Sequence, residues 1–128
     1  VREHHMENVK FLGYLQKDEM SEKFYQAKAV IMTSQCYEAF AMTIAEAYSY
    51  GVPVIAGRVG NMDGMVQDGI TGVKFTYNSA EDLADKISAF DAMELSVLKK
   101  NARAFYAERL RPEDNYQKLI RIYEDISK

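Results

Sequence analysis

The chain has 128 residues, 48% hydrophobic and 27% charged, with a net charge of −3. That size allows one domain with a buried core, and the negative balance excludes a general nucleic-acid surface, which needs clustered Lys and Arg. A single cysteine, Cys36, excludes an internal disulfide framework, and no charge-free apolar run is long enough to cross a membrane.

The chain opens VREHHMENV without an initiator Met, so a native start is expected upstream. His4 and His5 read as a solvated pair, because no acid or thiol cluster near them completes a ligand set. Val9 to Leu12 is a short β-type run stopped by Gly13. Asp18 is placed to cap a helix running to about Lys28, with Met20, Phe24 and Ala27 on one face. Ala29 to Met32 is continuously apolar, as in a strand covered on both faces. A helix is expected from Met42 to a left-handed cap at Gly51, after which Pro53 forbids its continuation. Val52 to Ala56 is the next strand. Gly57 to Gly64 reads as a glycine-rich loop, with a short helical turn near Met65, and Thr71 to Phe75 as a last strand.

Beyond residue 78 only helices are predicted. Ser79 to Asp82 resembles a capping box, with Asp for the usual Glu or Gln. Leu83, Ile87 and Phe90 follow on one face, and Glu94 to Arg109 repeats the pattern. Pro112 opens the final helix, whose stripe of Tyr116, Leu119, Ile120, Tyr123 and Ile126 predicts a core-facing surface. Lys99, Lys100 and Arg103 read as a solvated face that leaves a membrane-surface contact open. Strand and helix alternation over the first half predicts an α/β fold, a Rossmann-like parallel sheet with crossover helices. Ligands of such sheets bind at the carboxyl ends of the strands. Three loops would gather there: Gly13 to Gln16, Thr33 to Ala41 and Gly57 to Gly64.

The most informative stretch is EAFAMTIAEAYSYGVPVIA, Glu38 to Ala56. Between Ala39 and Gly57 its one charge is Glu46, and a lone carboxylate in an apolar run needs a partner. The helix start near Met42 points free amides and a dipole at an anion such as a phosphate. Glu46, one turn further in, suits hydroxyl donors such as a ribose diol, and Glu38 suits hydroxyls of a group carried by a diphosphate. An equally simple reading pairs Glu46 with Arg58 and leaves Glu38 in water. Cys36 reads as a small filler, and Tyr48 and Tyr50 as packing against the terminal helices.

Glu38-x7-Glu46 followed by AYSYGVPVIA resembles the E-x7-E signature of retaining glycosyltransferases with the GT-B fold, particularly glycosyltransferase family 4. ENVKFLGYL, AKAVIMTSQCYEAF, DGITGV and RPEDNYQKLIRIYEDI are similar to further segments of that family, in order, over essentially the whole chain. The resemblance implies the C-terminal, donor-binding part of a GT-B enzyme, with residues 1–128 a partial nucleotide-sugar-binding domain. Its first strand and the whole N-terminal acceptor domain would lie upstream. The implied reaction transfers a hexose with retention from a nucleotide diphosphate donor, such as a UDP- or GDP-sugar, to a glycan or lipid-linked acceptor. That suits synthesis of cell-surface polysaccharides or glycoconjugates. No cofactor and no metal are implied. The implied location is cytoplasmic, and a peripheral contact with the inner membrane face is left open.

By position, Glu38 would be the catalytic contact to the donor sugar and Glu46 would bind ribose. Phe40, Ala41 and Met42 amides with the Thr43 hydroxyl would hold the diphosphate, and Gly13 and Tyr14 would lie against the base. The chain departs from the pattern at E-A-F-A for E-G-F-G, at Thr33-Ser34 for Pro-Ser, and at Gly60-Asn61-Met62-Asp63-Gly64 for G-G-x-P-E. The Arg and Lys that neutralise the diphosphate would precede Val1, so the chain alone is expected to be inactive. Two other readings keep the fold: a GT-B-like sugar-nucleotide epimerase, and a non-catalytic Rossmann-like interaction domain.

Overall fold

A computed structural model describes residues 6–127, so His4 and His5 lie outside the described residues. Helix α1 (Lys17–Gln26) leads to strand β1 (Val30–Met32), helix α2 (Met42–Ser49) and strand β2 (Val54–Gly57). Helix α3 (Gly60–Met65) and strand β3 (Gly72–Phe75) follow, and then α4 (Ala80–Asp91), α5 (Leu95–Arg109) and α6 (Pro112–Ile126). The strands form one parallel sheet in the order β1-β2-β3, with Val30 opposite Val54 and Val54 opposite Gly72.

Side-chain alternation along β2 divides the core between the two faces of the sheet. Val54 and Ala56 join a cluster with Ile44, Tyr48, Met62 and Ala102, whereas Ile55 joins Val73, Phe75, Phe90 and Leu98. Both faces of this central strand are therefore covered, as parallel sheets require. Strand β1 differs from its expected burial on both faces: Val30 and Met32 pack inward, but Ile31 is 46% exposed. The predicted strand at Val9 to Leu12 does not form. Its residues make no backbone ladder and are exposed, because β-type composition becomes a strand only where a neighbour supplies the hydrogen bonds.

The C-terminus of α2 follows its sequence closely. Gly51 takes φ +68°, its N–H donates to the Tyr48 carbonyl at 3.0 Å, and the Val52 N–H donates to Ala47 at 2.9 Å. These two bonds form a Schellman motif and return the chain directly into β2. Arg103 of α5 closes the same end, with Nη1 donating to the Ser49 carbonyl and its guanidinium lying over the Tyr106 ring. Arg103 is thus more than a solvated cation.

Several local expectations shift. Helix α1 is capped at Gln16 rather than Asp18, and the Gln16 N–H donates to Glu19 at 2.8 Å. Phe24 is buried there, while Met20 is not. The glycine-rich segment after β2 is helical from Gly60, since Met62 and Met65 bury into the core and outweigh the glycines' weak propensity. Ser79 caps α4 by accepting from the Asp82 N–H at 3.1 Å, but the box does not close. The Asp82 carboxylate instead accepts from the Thr76 N–H at 2.5 Å, which holds its pKa below the usual range. Helix α6 buries none of its residues, so its stripe is not a core surface among the described residues.

Candidate functional site

The carboxyl end of β1 opens into residues 33–41 and that of β2 into α3, so both meet the N-terminus of α2. Helix α2 is one of the most deeply buried elements of the fold: Ile44, Ala45, Ala47 and Tyr48 all face the core. Glu46 lies on the open side of the helix, which it shares with the 61% exposed Met42 and the half-buried Thr43 and Ser49. It is exposed, and its carboxylate has no hydrogen bond or ion pair among the described residues.

The pairing of Glu46 with Arg58 is ruled out by where Arg58 goes. Its guanidinium meets Asp68 at 2.9 Å and Asp63 at 3.7 Å, and Lys74 Nζ meets Asp63 at 3.0 Å. Asp63 Oδ1 is closed off from solvent, and Lys74 meets it as an ion pair rather than an aligned hydrogen bond. Asp63 therefore neutralises two cations and ties α3 to β3. Asp68 Oδ1 also accepts from the Lys74 N–H at 2.9 Å, which anchors the turn before β3.

Glu46 faces two clefts. One, of about 490 Å³, is shared with Tyr14, Leu15, Lys17, Ser21 and Tyr50. The other, of about 470 Å³, is shared with Phe40, Met42, Tyr106 and Arg109. The structure thus brings Tyr14 to Glu46 on one side and Phe40 and Met42 to it on the other. Gly13, with φ +68°, turns the chain into Tyr14, which is 88% exposed. Glu38 lines neither cleft. It is half-buried, and its backbone lies against the first turn of α3.

At the start of α2, Ala41 is the N-cap residue and offers no side-chain cap. Met42 N–H donates to the Phe40 carbonyl at 3.1 Å, and Ile44 N–H to Ala41 at 3.0 Å. Among the described residues the N–H groups of Phe40, Ala41 and Thr43, and the Thr43 hydroxyl, make no hydrogen bond. A helix start with open amides accommodates an anion. The Met42 amide is occupied in this arrangement, whereas the Thr43 amide is open.

Lys17 and Arg109 are the cations that reading the chain missed. Each lies far from Glu46 in sequence, and Arg109 reaches the second cleft from the end of α5, with its guanidinium 5.3 Å from the Phe105 ring centre. No local pattern signals either one. Two other expectations change. Cys36 is exposed, with its N–H 3.4 Å from Ser34 Oγ, so it fills no gap. Tyr48 does pack on α5, edge-on to Phe105, but Tyr50 stacks on Phe24 and meets Tyr25, both on α1.

The model of the family described as glycosyl transferases group 1 matches residues 2–104. The chain belongs to that family. Among relatives, it is 27% identical over 118 residues to a 41.2 kDa protein in the cps region of Klebsiella pneumoniae, covering 92% of this chain and 33% of that one. Among solved structures, HepE of Anabaena in complex with UDP-glucose superposes with a TM-score of 0.84 at 25% identity, over 97% of this chain and 34% of that one. The C-terminal domain of LpcC, a glycosyl transferase group 1 protein of Francisella tularensis, gives a TM-score of 0.65 at 18% identity, covering 80% and 53%. That likeness shows the fold alone. The fold is α/β, that of the C-terminal part of GT-B glycosyltransferases, and the chain spans about a third of the length of the Klebsiella relative. Among the described residues no helix is long and apolar enough to cross a membrane, and no group of three or more His, Cys, Asp or Glu is placed to hold a metal.

Proposed function

We propose that this chain is the nucleotide-sugar donor-binding part of a retaining hexosyltransferase acting on a glycan or lipid-linked acceptor, in polysaccharide or glycoconjugate synthesis. The observation that carries the reading is Glu46. It is an exposed, unpaired carboxylate on a helix that buries four of its eight residues, and it shares a cleft with Tyr14. In this reading the base lies against Gly13 and Tyr14, and the ribose hydroxyls donate to Glu46. The diphosphate takes the open amides of Phe40, Ala41 and Thr43 with the Thr43 hydroxyl, and the Met42 amide joins them once it leaves the Phe40 carbonyl. The UDP-glucose bound by the Anabaena neighbour supports a UDP-sugar as donor.

Charge develops on the leaving diphosphate as the sugar bond breaks. Amides already aimed at that position stabilise it without reorganising, and Glu38 contacts the sugar. The sources of positive charge in the two clefts are Lys17 and Arg109. The acceptor is held by a domain outside this chain, so turnover requires the longer protein.

The test is calorimetric titration of UDP into the protein and its Glu46→Ala variant. Loss of two hydroxyl bonds to a charged acceptor should weaken binding by roughly 2–4 kcal/mol, at least thirtyfold. Equal affinity in the variant removes Glu46 from the site. A parallel thermal-shift panel of UDP, GDP, ADP and NAD separates a nucleoside-diphosphate site from a dinucleotide site or none.

A further inference from the structure

Residues 33–41 carry Glu38 and the first diphosphate-facing amides, yet their backbone belongs to no helix or strand and makes almost no backbone hydrogen bonds of its own. Side chains from elsewhere hold it. The shortest such bond runs from Asn61 Nδ2, in the first turn of α3, to the Ala39 carbonyl at 2.7 Å. Gly60 stands beside it with φ +53°, and a Cβ there would come within 3.3 Å of Tyr37 Cα and 3.5 Å of the Glu38 nitrogen. The start of α3 therefore lies directly on the loop, at a spacing tight for a Cβ at Gly60, whose positive φ already favours glycine.

The Ala39 carbonyl and the Phe40 N–H belong to the same planar peptide unit and point in opposite directions. Fixing the carbonyl fixes the amide. We infer that Asn61 is a positioning residue that sets the Ala39–Phe40 peptide plane and so aims the Phe40 N–H at the diphosphate. The inference rests on the donor-site reading above. It also accounts for two departures from the family pattern together. Ala39 and Asn61 each stand where a glycine is usual, and they bond to one another. Alanine at 39 limits the conformations open to that peptide, and the amide of Asn61 selects one of them.

The experiment compares Asn61→Ala and Asn61→Asp with the unaltered full-length protein. Asn61→Ala removes the donor. Asn61→Asp places a carboxylate against the Ala39 carbonyl and near the phosphate seat. UDP affinity should fall roughly five- to tenfold in the first and further in the second, while affinity for uridine, which has no phosphate, stays unchanged. A general loosening of the fold would weaken both ligands alike and would overturn the inference. Backbone relaxation of the Phe40 amide, measured without ligand, should show its order parameter dropping in Asn61→Ala from the rigid range towards the flexible one. If the unaltered protein binds no UDP but the Phe40 amide loosens, the donor-site reading fails and the positioning role stands. If UDP binds all three proteins equally, the positioning role fails and the donor site stands.

Discussion

Helices α2 and α6 show how differently an apolar pattern can be used. Helix α2 is short and buries four of its residues against β2, α3 and α5, leaving one open side of Met42, Thr43, Glu46 and Ser49. Helix α6 is nearly twice as long and sharply amphipathic, and buries none, with Tyr116, Leu119, Ile122, Tyr123 and Ile126 all largely exposed. An amphipathic stripe states that a helix has an apolar face. It does not state what covers that face. On α2 the apolar face is covered within the domain, by β2, α3 and α5. The exposed Glu46 stands out on α2 because it is the one charge of the helix and lines the clefts on both sides of it, whereas an exposed acid on α6 carries no such meaning.

Substitutions that read burial along each helix can break this contrast. The largest effect is expected at Ile44, which is fully buried at the centre of the larger core cluster. Ile44→Ala should cost about 2–5 kcal/mol, as for other large-to-small core changes, measured by urea unfolding. A cost below about 1 kcal/mol would mean that α2 is not the closed element described.

A smaller effect is expected at Tyr48. Its hydroxyl lies 2.7 Å from Thr71 Oγ1 and 3.4 Å from the Met65 carbonyl, in a site without solvent. Burial pushes its pKa up to about 12, against a smaller opposing effect of the Thr71 hydrogen bond. The unfolded phenol ionises near 10, so between about pH 10 and 12 the unfolded chain releases a proton that the folded chain keeps. Stability from this group is complete below pH 10 and falls by roughly 2 to 3 kcal/mol as pH rises to 12. Tyr48→Phe should cost about 1–2 kcal/mol at pH 7 through the lost bonds to Thr71 and the Met65 carbonyl, although Thr71 Oγ1 still accepts from the Gln67 N–H, and should flatten the alkaline slope relative to the unaltered chain. An unchanged slope between pH 10 and 12 would place Tyr48 in water.

The same contrast explains what could be read from the chain. Strand β2 and the end of α2 were legible because Gly51, Pro53 and the run Val54 to Ala56 act locally: a left-handed cap, a ring that stops a helix, and β-branched residues covered on both sides. The lone acid in α2 was legible for the same reason. Val9 to Leu12 misled because a strand needs a ladder that its own residues do not supply. Residues 60–65 misled because Met62 and Met65 gain more by burial than the glycines lose by helix formation. Lys17, Arg109 and the reach of Asn61 to Ala39 depend on distant segments meeting, and no spacing within either segment records that.

The smallest effect is expected at Leu119, and its smallness is the point. Leu119 is 47% exposed and sits on the stripe of α6, which buries none of its residues. Replacing it by alanine removes little buried area and, in a helix, gains slightly in intrinsic propensity. The unfolding free energy of residues 1–128 should therefore move by no more than about 0.5 kcal/mol, the range of surface changes. In the longer protein the same substitution tests whether the stripe is covered. A cost there of about 2 kcal/mol or more would show Leu119 buried by chain outside these residues, whereas the same near-zero value in both would make the stripe a solvent-facing surface. The difference between the two measurements, set against the constant large cost of Ile44→Ala, separates a helix that completes this domain from one that serves something beyond it.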